Sequence, residues 1–284
     1  MKKNLKFCLI SIILLFFVMN GKLVCKARNI MLVFDLKDYK VEIKRAVEYF
    51  FNHELTPDDQ VIVITPARKL YSFSKNTLQR SKKQIISQIN DALRKHAMIN
   101  ASDYRTIYDQ MKDIVRLIED DQNLGYSTRI NSYLKDYEAN RKQLYSIRMV
   151  SQSMLLELSE IYKKTDENSD NQIYIFFEKV LRPIPSKDTM EKLRANYDVS
   201  FKAVEVFLEE KFKMKMELDK VLKEFKKANI KFNLIYINPK VHKHYKFQRV
   251  ENSGDFYDAM SELVEETGGV KITTSQPKAI FENN

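Results

Sequence analysis

The 284-residue chain contains few of the residues that interrupt or crosslink a polypeptide: five glycines, six prolines, two cysteines and no tryptophan. The shortage of glycine and proline disfavours a loop-rich or all-β architecture and favours long helices. Both cysteines, Cys8 and Cys25, lie in the first 27 residues, so the rest of the chain has neither a disulfide framework nor thiol chemistry. The G-x-S-x-G, H-E-x-x-H and glycine-rich phosphate-loop motifs are also missing from the sequence, which therefore carries no catalytic signature.

The N-terminal segment has the pattern of an export signal. A basic stretch, Met1–Lys6, precedes an apolar run from Phe7 to Met19. That run is shorter than the about 20 apolar residues of a membrane-spanning helix, so we predict a signal peptide over residues 1–27, cleaved after Ala27. The alternative is an uncleaved anchor, which would be the chain's only membrane contact. We expect an exported protein, located in the periplasm, in the cell envelope or outside the cell.

The charge of the exported part is modest. The whole chain has 48 basic and 38 acidic residues. Five lysines and no acids lie in residues 1–27, so 43 basic residues remain against 38 acidic ones, a net charge of +5. The basic residues are spread along the predicted helices and do not form a cluster, so we expect no nucleic-acid binding.

Short apolar runs alternate with helical patterns along the remaining chain. This alternation predicts an α/β fold with a doubly wound, mainly parallel sheet. Residues 100–105 interrupt one helical pattern, and a new helix is expected from Thr106; Arg182–Pro185 is expected to be a loop. Gly268-Gly269 is expected to be the C-cap of the last helix. The predicted strands are 29–35, 60–65, 69–74, 172–177, 230–237 and 270–274.

Two helical patterns, at about 129–164 and 189–228, are longer than a compact α/β domain needs. We expect a long helical extension in which they pack on each other as a hairpin or small bundle at one end of the sheet. Alternatively, they wrap along the body of the domain. The charged run 209–216 is expected to be a solvated helix face, with a partner surface as the alternative.

Four segments, in order, resemble parts of the von Willebrand factor type A domain, in particular the VWFA-related group of exported bacterial proteins. They are Asn29–Asp35, Thr56–Ile64, Thr106–Met111 and Glu262–Gly269. The resemblance extends over nearly all of residues 28–275, and we expect the domain to comprise residues 28–280. It implies that the fold is von Willebrand A-like and that the function is protein binding.

Metal-binding members of that family use a D-x-S-x-S strand end, a threonine from a second loop and an aspartate after the fourth strand. By resemblance, Asp35 takes the place of the first acid and Glu178 that of the second. Lys37 and Tyr39 stand where the two serines would be. The threonine position is occupied by Arg105, with Thr106 one residue away.

Lysine and arginine donate hydrogen bonds but cannot ligate a metal. We therefore hypothesise that Lys37 and Arg105 neutralise the two acids, and that the site works without metal. The alternative is an adhesion site in which Asp35, Asp38, Thr106 and Glu178 hold Mg²⁺ or another divalent cation.

The sequence thus predicts an exported, non-enzymatic module that binds a protein whose identity the sequence does not reveal. An enzyme, such as a hydrolase built on the same sheet, would need a buried cleft with a strongly perturbed acid or histidine, and the sequence offers no candidate pair. His242 and His244 have no third ligand nearby, so we expect a solvated loop there.

Overall fold

The computed structural model describes residues 28–56, 58–121, 128–163, 169–195, 197–208, 216–238 and 247–274. The predicted signal peptide, both cysteines, the histidine pair at 242 and 244 and nearly all of the charged run 209–216 lie outside these residues. In the described part of the chain, no helix is both long enough and apolar enough to cross a membrane.

The described ranges contain eight strands and eight α-helices, in mixed order along the chain. The strands are β1 (Arg28–Asp35), β2 (Gln60–Ile64), β3 (Leu70–Phe73), β4 (Asp170–Glu178), β5 (Leu181–Pro185), β6 (Ile230–Ile237), β7 (Phe247–Glu251) and β8 (Lys271–Thr274). The helices are α1 (Val41–Tyr49), which continues into a π-helical turn (Phe50–Glu54), α2 (Lys75–Asp120), α3 (Thr128–Ser146), α4 (Gln152–Tyr162), α5 (Lys187–Ala195), α6 (Tyr197–Phe207), α7 (Leu218–Lys227) and α8 (Gly254–Thr267).

Six strands form the main sheet, in the order β3-β2-β1-β4-β6-β8. All neighbouring pairs are parallel except β2 and β3, which are antiparallel. The prediction of an α/β fold with a mainly parallel sheet is therefore confirmed. The predicted strands 29–35, 172–177 and 230–237 lie within β1, β4 and β6.

Each face of the sheet is covered by its own hydrophobic cluster. Along β1, Ile30, Leu32 and Phe34 join one cluster, whereas Met31 and Val33 join the other, as the two-residue period of a strand requires. The first cluster is completed by α1 and the N-terminal half of α2, and the second by helices α3 to α8 together with the C-terminal half of α2. This burial on both sides explains why the central strands read as continuous apolar runs.

The predicted helix break at residues 100–105 is wrong, because α2 runs without interruption across this segment. Ala97 and Ala101 are buried and continue the apolar spacing, and Tyr104 packs against the core. The 46-residue helix would be about 70 Å long if straight. Its one residue with non-helical dihedral angles is Ser81, in the first two turns, where the helix is kinked.

The two long helical patterns are also divided differently from the prediction. The stretch 129–164 is broken after Ser146, and the described part of 189–228 contains parts of three helices, α5, α6 and α7. The two stretches do contact each other, α3 with α6 and α4 with α7. In the described residues they do so within the hydrophobic cluster that covers one face of the sheet, which agrees with the alternative, packing along the body of the domain, better than with a hairpin or bundle at one end of the sheet.

The segment Arg182–Pro185 is not a loop but part of β5, which pairs with β7 as a separate two-stranded antiparallel sheet. Proline lacks a backbone N–H, so it is tolerated in a strand where that N–H would face away from the ladder. A two-stranded sheet leaves one edge of each strand without a ladder partner, which explains how Pro183 and Pro185 can be accommodated.

The predicted C-cap at Gly268-Gly269 is confirmed. Glycine is required at the two positions for different reasons. Gly268 has a φ of +68°, but a Cβ there would meet no atom within 4 Å. At Gly269 a Cβ would lie 1.9 Å from the carbonyl oxygen of Phe232 in β6. We expect Gly268→Ala to lower the free energy of unfolding by about 1–2 kcal/mol, through backbone strain alone.

We expect Gly269→Ala to cost more, about 3 kcal/mol, because the backbone of β6 or of the turn must move. Urea denaturation of the two variants beside the wild-type protein measures both effects. An equal or smaller loss at Gly269 would contradict the close approach of this turn to β6.

Candidate functional site

The carboxyl ends of β1 and β4 bring two acidic residues to the same edge of the sheet. Asp35 is the last residue of β1 and Glu178 the last of β4, and these strands are parallel neighbours in the middle of the sheet. Both side chains are buried, with exposures of 0% and 5%. We call this region the rim; it consists of the segment Asp35–Lys40, Glu178 and the loop 147–151.

Three nitrogen donors surround the Asp35 carboxylate. The ammonium of Lys37 lies 3.1 Å from Oδ1. The backbone N–H groups of Met149 and Val150 donate to Oδ2 at 3.1 and 3.2 Å. Lys37 is itself only 4% exposed, and its ammonium lies 6.0 Å from the centroid of the Phe177 ring. A buried carboxylate of this kind requires a paired cation and hydrogen-bond donors, and Asp35 has both.

Glu178 is satisfied in a similar way. Its Oε2 accepts hydrogen bonds from the backbone N–H groups of Lys37 and Asp38, at 2.9 and 3.0 Å. Its Oε1 lies 2.5 Å from the ammonium of Lys40. The turn after β1 therefore folds over Glu178, and each of the two buried acids, Asp35 and Glu178, has one lysine as its counterion.

The loop 147–151, between α3 and α4, is held from two sides. Arg68 lies in the turn between β2 and β3. Its guanidinium donates a hydrogen bond to the Met149 carbonyl oxygen at a distance of 3.1 Å. On the other side, Arg148 binds Asp255 in the first turn of α8, with nitrogen–oxygen distances of 3.0 and 3.2 Å. The Tyr145 hydroxyl donates to the same carboxylate at 2.8 Å. These contacts fix the two backbone N–H groups that reach Asp35.

The structure brings together some of the residues predicted for the site and separates others. Lys37 lies against Asp35, and Glu178 lies at the neighbouring strand end. Arg105 lies elsewhere than expected: its guanidinium is 3.6 Å from Asp38, and the two side chains are 67% and 49% exposed. The expected contact of Arg105 with the buried acids is therefore wrong, because α2 continues past residue 105 and carries the side chain on its solvent side.

Thr106 and Tyr39 also make other contacts. The Thr106 hydroxyl donates to the Ser102 carbonyl oxygen one helical turn earlier, at 3.0 Å. The Tyr39 hydroxyl donates to Asn90 at 3.0 Å. Burial, assisted by the nearby Glu48 and Asp91 carboxylates, raises the pKa of Tyr39 to about 12. Neither side chain takes the position that the resemblance gave it.

The oxygen atoms that would bind a cation in the alternative site are thus engaged in hydrogen bonds and ion pairs within the protein. The Asp35 and Glu178 oxygens accept hydrogen bonds from nitrogen donors, Asp38 faces Arg105, and Thr106 bonds within its own helix. Within the described ranges, no three His, Cys, Asp or Glu side chains are grouped so that they could hold a metal ion.

Sequence reasoning missed Lys40, Arg68, Arg148 and the amides of Met149 and Val150. One signal for the loop was available: Ser151 is a good helix N-cap, and its hydroxyl accepts from Met154 N at 3.3 Å. A cap in the middle of an apolar pattern indicates that a new helix starts there. The backbone donors themselves have no sequence signature.

Two other ionisable residues that the sequence offered as candidates, Asp59 and His53, have purely structural contacts. Asp59 accepts hydrogen bonds from Thr56 N and from the backbone and guanidinium of Arg28. Burial opposes ionisation of Asp59, but these hydrogen bonds and the charge of Arg28 hold its pKa below the ordinary value. His53 packs against the ring of Tyr49.

Comparison of the chain with protein-family models and with curated proteins gives no match.

The buried pair of Asp35 and Lys37 can be tested by a double-mutant cycle. We expect Lys37→Met to lower the free energy of unfolding by about 3–5 kcal/mol, because the Asp35 charge then stays buried without its counterion. The double variant Asp35→Asn/Lys37→Met is expected to lose less than the sum of the two single variants.

The control is Lys44→Met, since Lys44 forms an exposed pair with Glu48 one turn away in α1. Such a pair contributes at most about 0.5 kcal/mol. Additive losses at Asp35 and Lys37 in urea denaturation would mean that the two charges do not interact.

Proposed function

We propose that the chain is an exported, non-enzymatic protein-binding module with a von Willebrand A-like fold, and that its rim binds a protein partner without a metal ion. The export assignment rests on the pattern of residues 1–27. The fold assignment is supported by the strand order. Numbered along the chain within the main sheet, the strands run 3-2-1-4-5-6, as in doubly wound folds that bind ligands at the carboxyl ends of their strands.

The observation that supports binding without a metal ion is the position of the Lys37 ammonium beside the Asp35 carboxylate. In a metal-dependent adhesion site a divalent cation balances the acid at the end of the first strand. Here a lysine from the same turn supplies the positive charge, 3.1 Å from Oδ1, and two backbone N–H groups occupy Oδ2. A metal ion at Asp35 would have to displace these donors and would meet the repulsion of a buried ammonium.

A protein partner would meet the exposed side chains around these buried groups. Asp38 and Arg105 are both substantially exposed and lie beside each other at the rim. They belong to different elements, the turn after β1 and the middle of α2, so a partner contacting both would span the rim. Exposed charges of this kind contribute to specificity and association rate more than to affinity.

The first test of this proposal is metal binding. We expect titration calorimetry with Mg²⁺ or Mn²⁺ to show no binding in the micromolar range, and the melting temperature to be unchanged by millimolar amounts of either ion. Asp35→Ala is the matched variant. Micromolar binding that is lost in Asp35→Ala would instead establish the alternative, a cation-dependent adhesion site.

The second test locates the partner surface. A photoreactive amino acid is placed at position 38 or 105 in the full chain, in the cells that produce it, with position 231 as the control. Lys231 is exposed near the start of β6, at the opposite, amino end of the sheet. We expect a discrete protein adduct from positions 38 and 105, equally strong with and without EDTA, and none from position 231.

Adducts from position 231 that match those from the rim would contradict a partner surface at the carboxyl edge. Adducts from the rim that disappear with EDTA would contradict metal independence while leaving the binding role intact.

A further inference from the structure

A second site, separate from the rim acids, lies at the outer edge of the main sheet. A groove with a volume of about 610 Å³ runs between the edge strand β3 and the N-terminal half of α2. The groove is shallow and open to solvent, so a small hydrated ion fits it better than an enclosed apolar ligand would. None of the rim residues lines the groove.

Positive charge faces this groove from both walls. Lys69 extends from the turn before β3 and Lys95 from α2, and both are exposed. In the part of the chain that the structure describes, neither ammonium lies within 4 Å of a carboxylate. One acid, Asp91, also lines the groove, and neutral hydrogen-bonding groups are supplied by Tyr71, Gln84 and Gln88.

A buried histidine completes the groove. His96 is 4% exposed, and its Nδ1 lies 2.8 Å from the hydroxyl of Thr65. The same hydroxyl lies 3.2 Å from the Lys69 carbonyl oxygen, so Thr65 connects the ring to the turn before β3. His96 is also one of the residues that line the groove, so a bound ligand can contact its ring.

The groups around His96 disfavour protonation of its ring. Burial lowers its pKa below the ordinary value, and the charges of Lys69 and Lys95 lower it further. Asp91 and Tyr71 are the other titratable side chains of the groove. The arrangement thus holds two ammonium groups and one protonatable ring against a single carboxylate, which is an excess of positive charge that an anion would relieve.

We propose that this groove binds a phosphate monoester or another tetrahedral dianion, with Lys69 and Lys95 as counterions and His96 as a third, proton-dependent donor. Lysine ammonium groups bind phosphate as point charges and need no fixed geometry. The rest of the groove leaves room for the organic part of an ester beside the amides of Gln84 and Gln88. This site is independent of partner binding at the rim.

Binding of a dianion must be coupled to protonation of His96. A negative charge beside the ring favours the charged imidazolium, so the bound anion raises the pKa of His96. By reciprocity, the anion binds more tightly as the pH falls through the titration range of the ring. Sulfate is the most informative probe, because its charge stays constant between pH 5.5 and 8 while that of phosphate changes.

The experiment is a titration of the full chain with sulfate, inorganic phosphate and glycerol phosphate at constant ionic strength set by chloride. Isotope-edited NMR of the histidine rings follows binding, and the His96→Gln variant assigns the His96 signal. We expect saturable shifts with all three anions, a raised His96 pKa when sulfate is bound, and sulfate affinity at pH 6 several times that at pH 8.

The matched variants are Lys69→Gln and Lys95→Gln, with the exposed Lys231→Gln as the control. We expect each groove variant to weaken sulfate binding about tenfold, since each removes a charge-assisted contact, and the control to leave it unchanged. Equal affinity in all three variants, or the same shifts with chloride alone, would overturn the proposal. So would sulfate affinity that does not change between pH 6 and pH 8.

Discussion

The burial of the Asp35 carboxylate is the constraint on which the carboxyl edge of this molecule depends. A charged group in the middle of a sheet, flanked by apolar strands, is stable only if it has a counterion and hydrogen-bond donors. The chain meets this need with Lys37 from the same turn and with two amides of a loop that lies 114 and 115 residues further along the sequence. The position of that loop is therefore fixed by a requirement of β1.

The same requirement accounts for the break between α3 and α4. A continuous helix over this region would use the N–H groups of Met149 and Val150 in its own hydrogen bonds, and Asp35 would lose two donors. Ser151 caps the new helix, while Arg68 and Arg148 hold the loop from opposite sides. The Ser151 cap, the two arginine contacts and the Asp35 acceptor all require the helix to break at the same place. The local sequence and the tertiary contacts therefore favour the same break.

The sequence was most informative where a local pattern determines the structure. The apolar runs of β1, β4 and β6, the edge strand β3 and the glycine cap after α8 each depend on neighbouring residues, and each was predicted. The division of the long helices was missed: the Ser151 cap was its one local signal, and the contacts that hold the loop are distant in the sequence, since the partner of Arg148 is Asp255, 107 residues away. The site was predicted only in part. Lys37 is two residues from Asp35, so the pair is visible in the sequence, whereas Arg105 was assigned through a helix break that does not exist.

The strand order also constrains the sequence of events in folding. β1 leaves the ribosome before the other described strands, yet its long parallel partner is β4. Asn29 and Asn171, whose side chains hydrogen-bond across this pair, are 142 residues apart. Until β4 has been synthesised, the edge of β1 that pairs with it has no hydrogen-bonded partner strand. Closing so large a loop makes nucleation slow and exposes the strand to off-pathway association. A nascent chain of this topology would therefore benefit from a chaperone that shields residues 28–35 during synthesis.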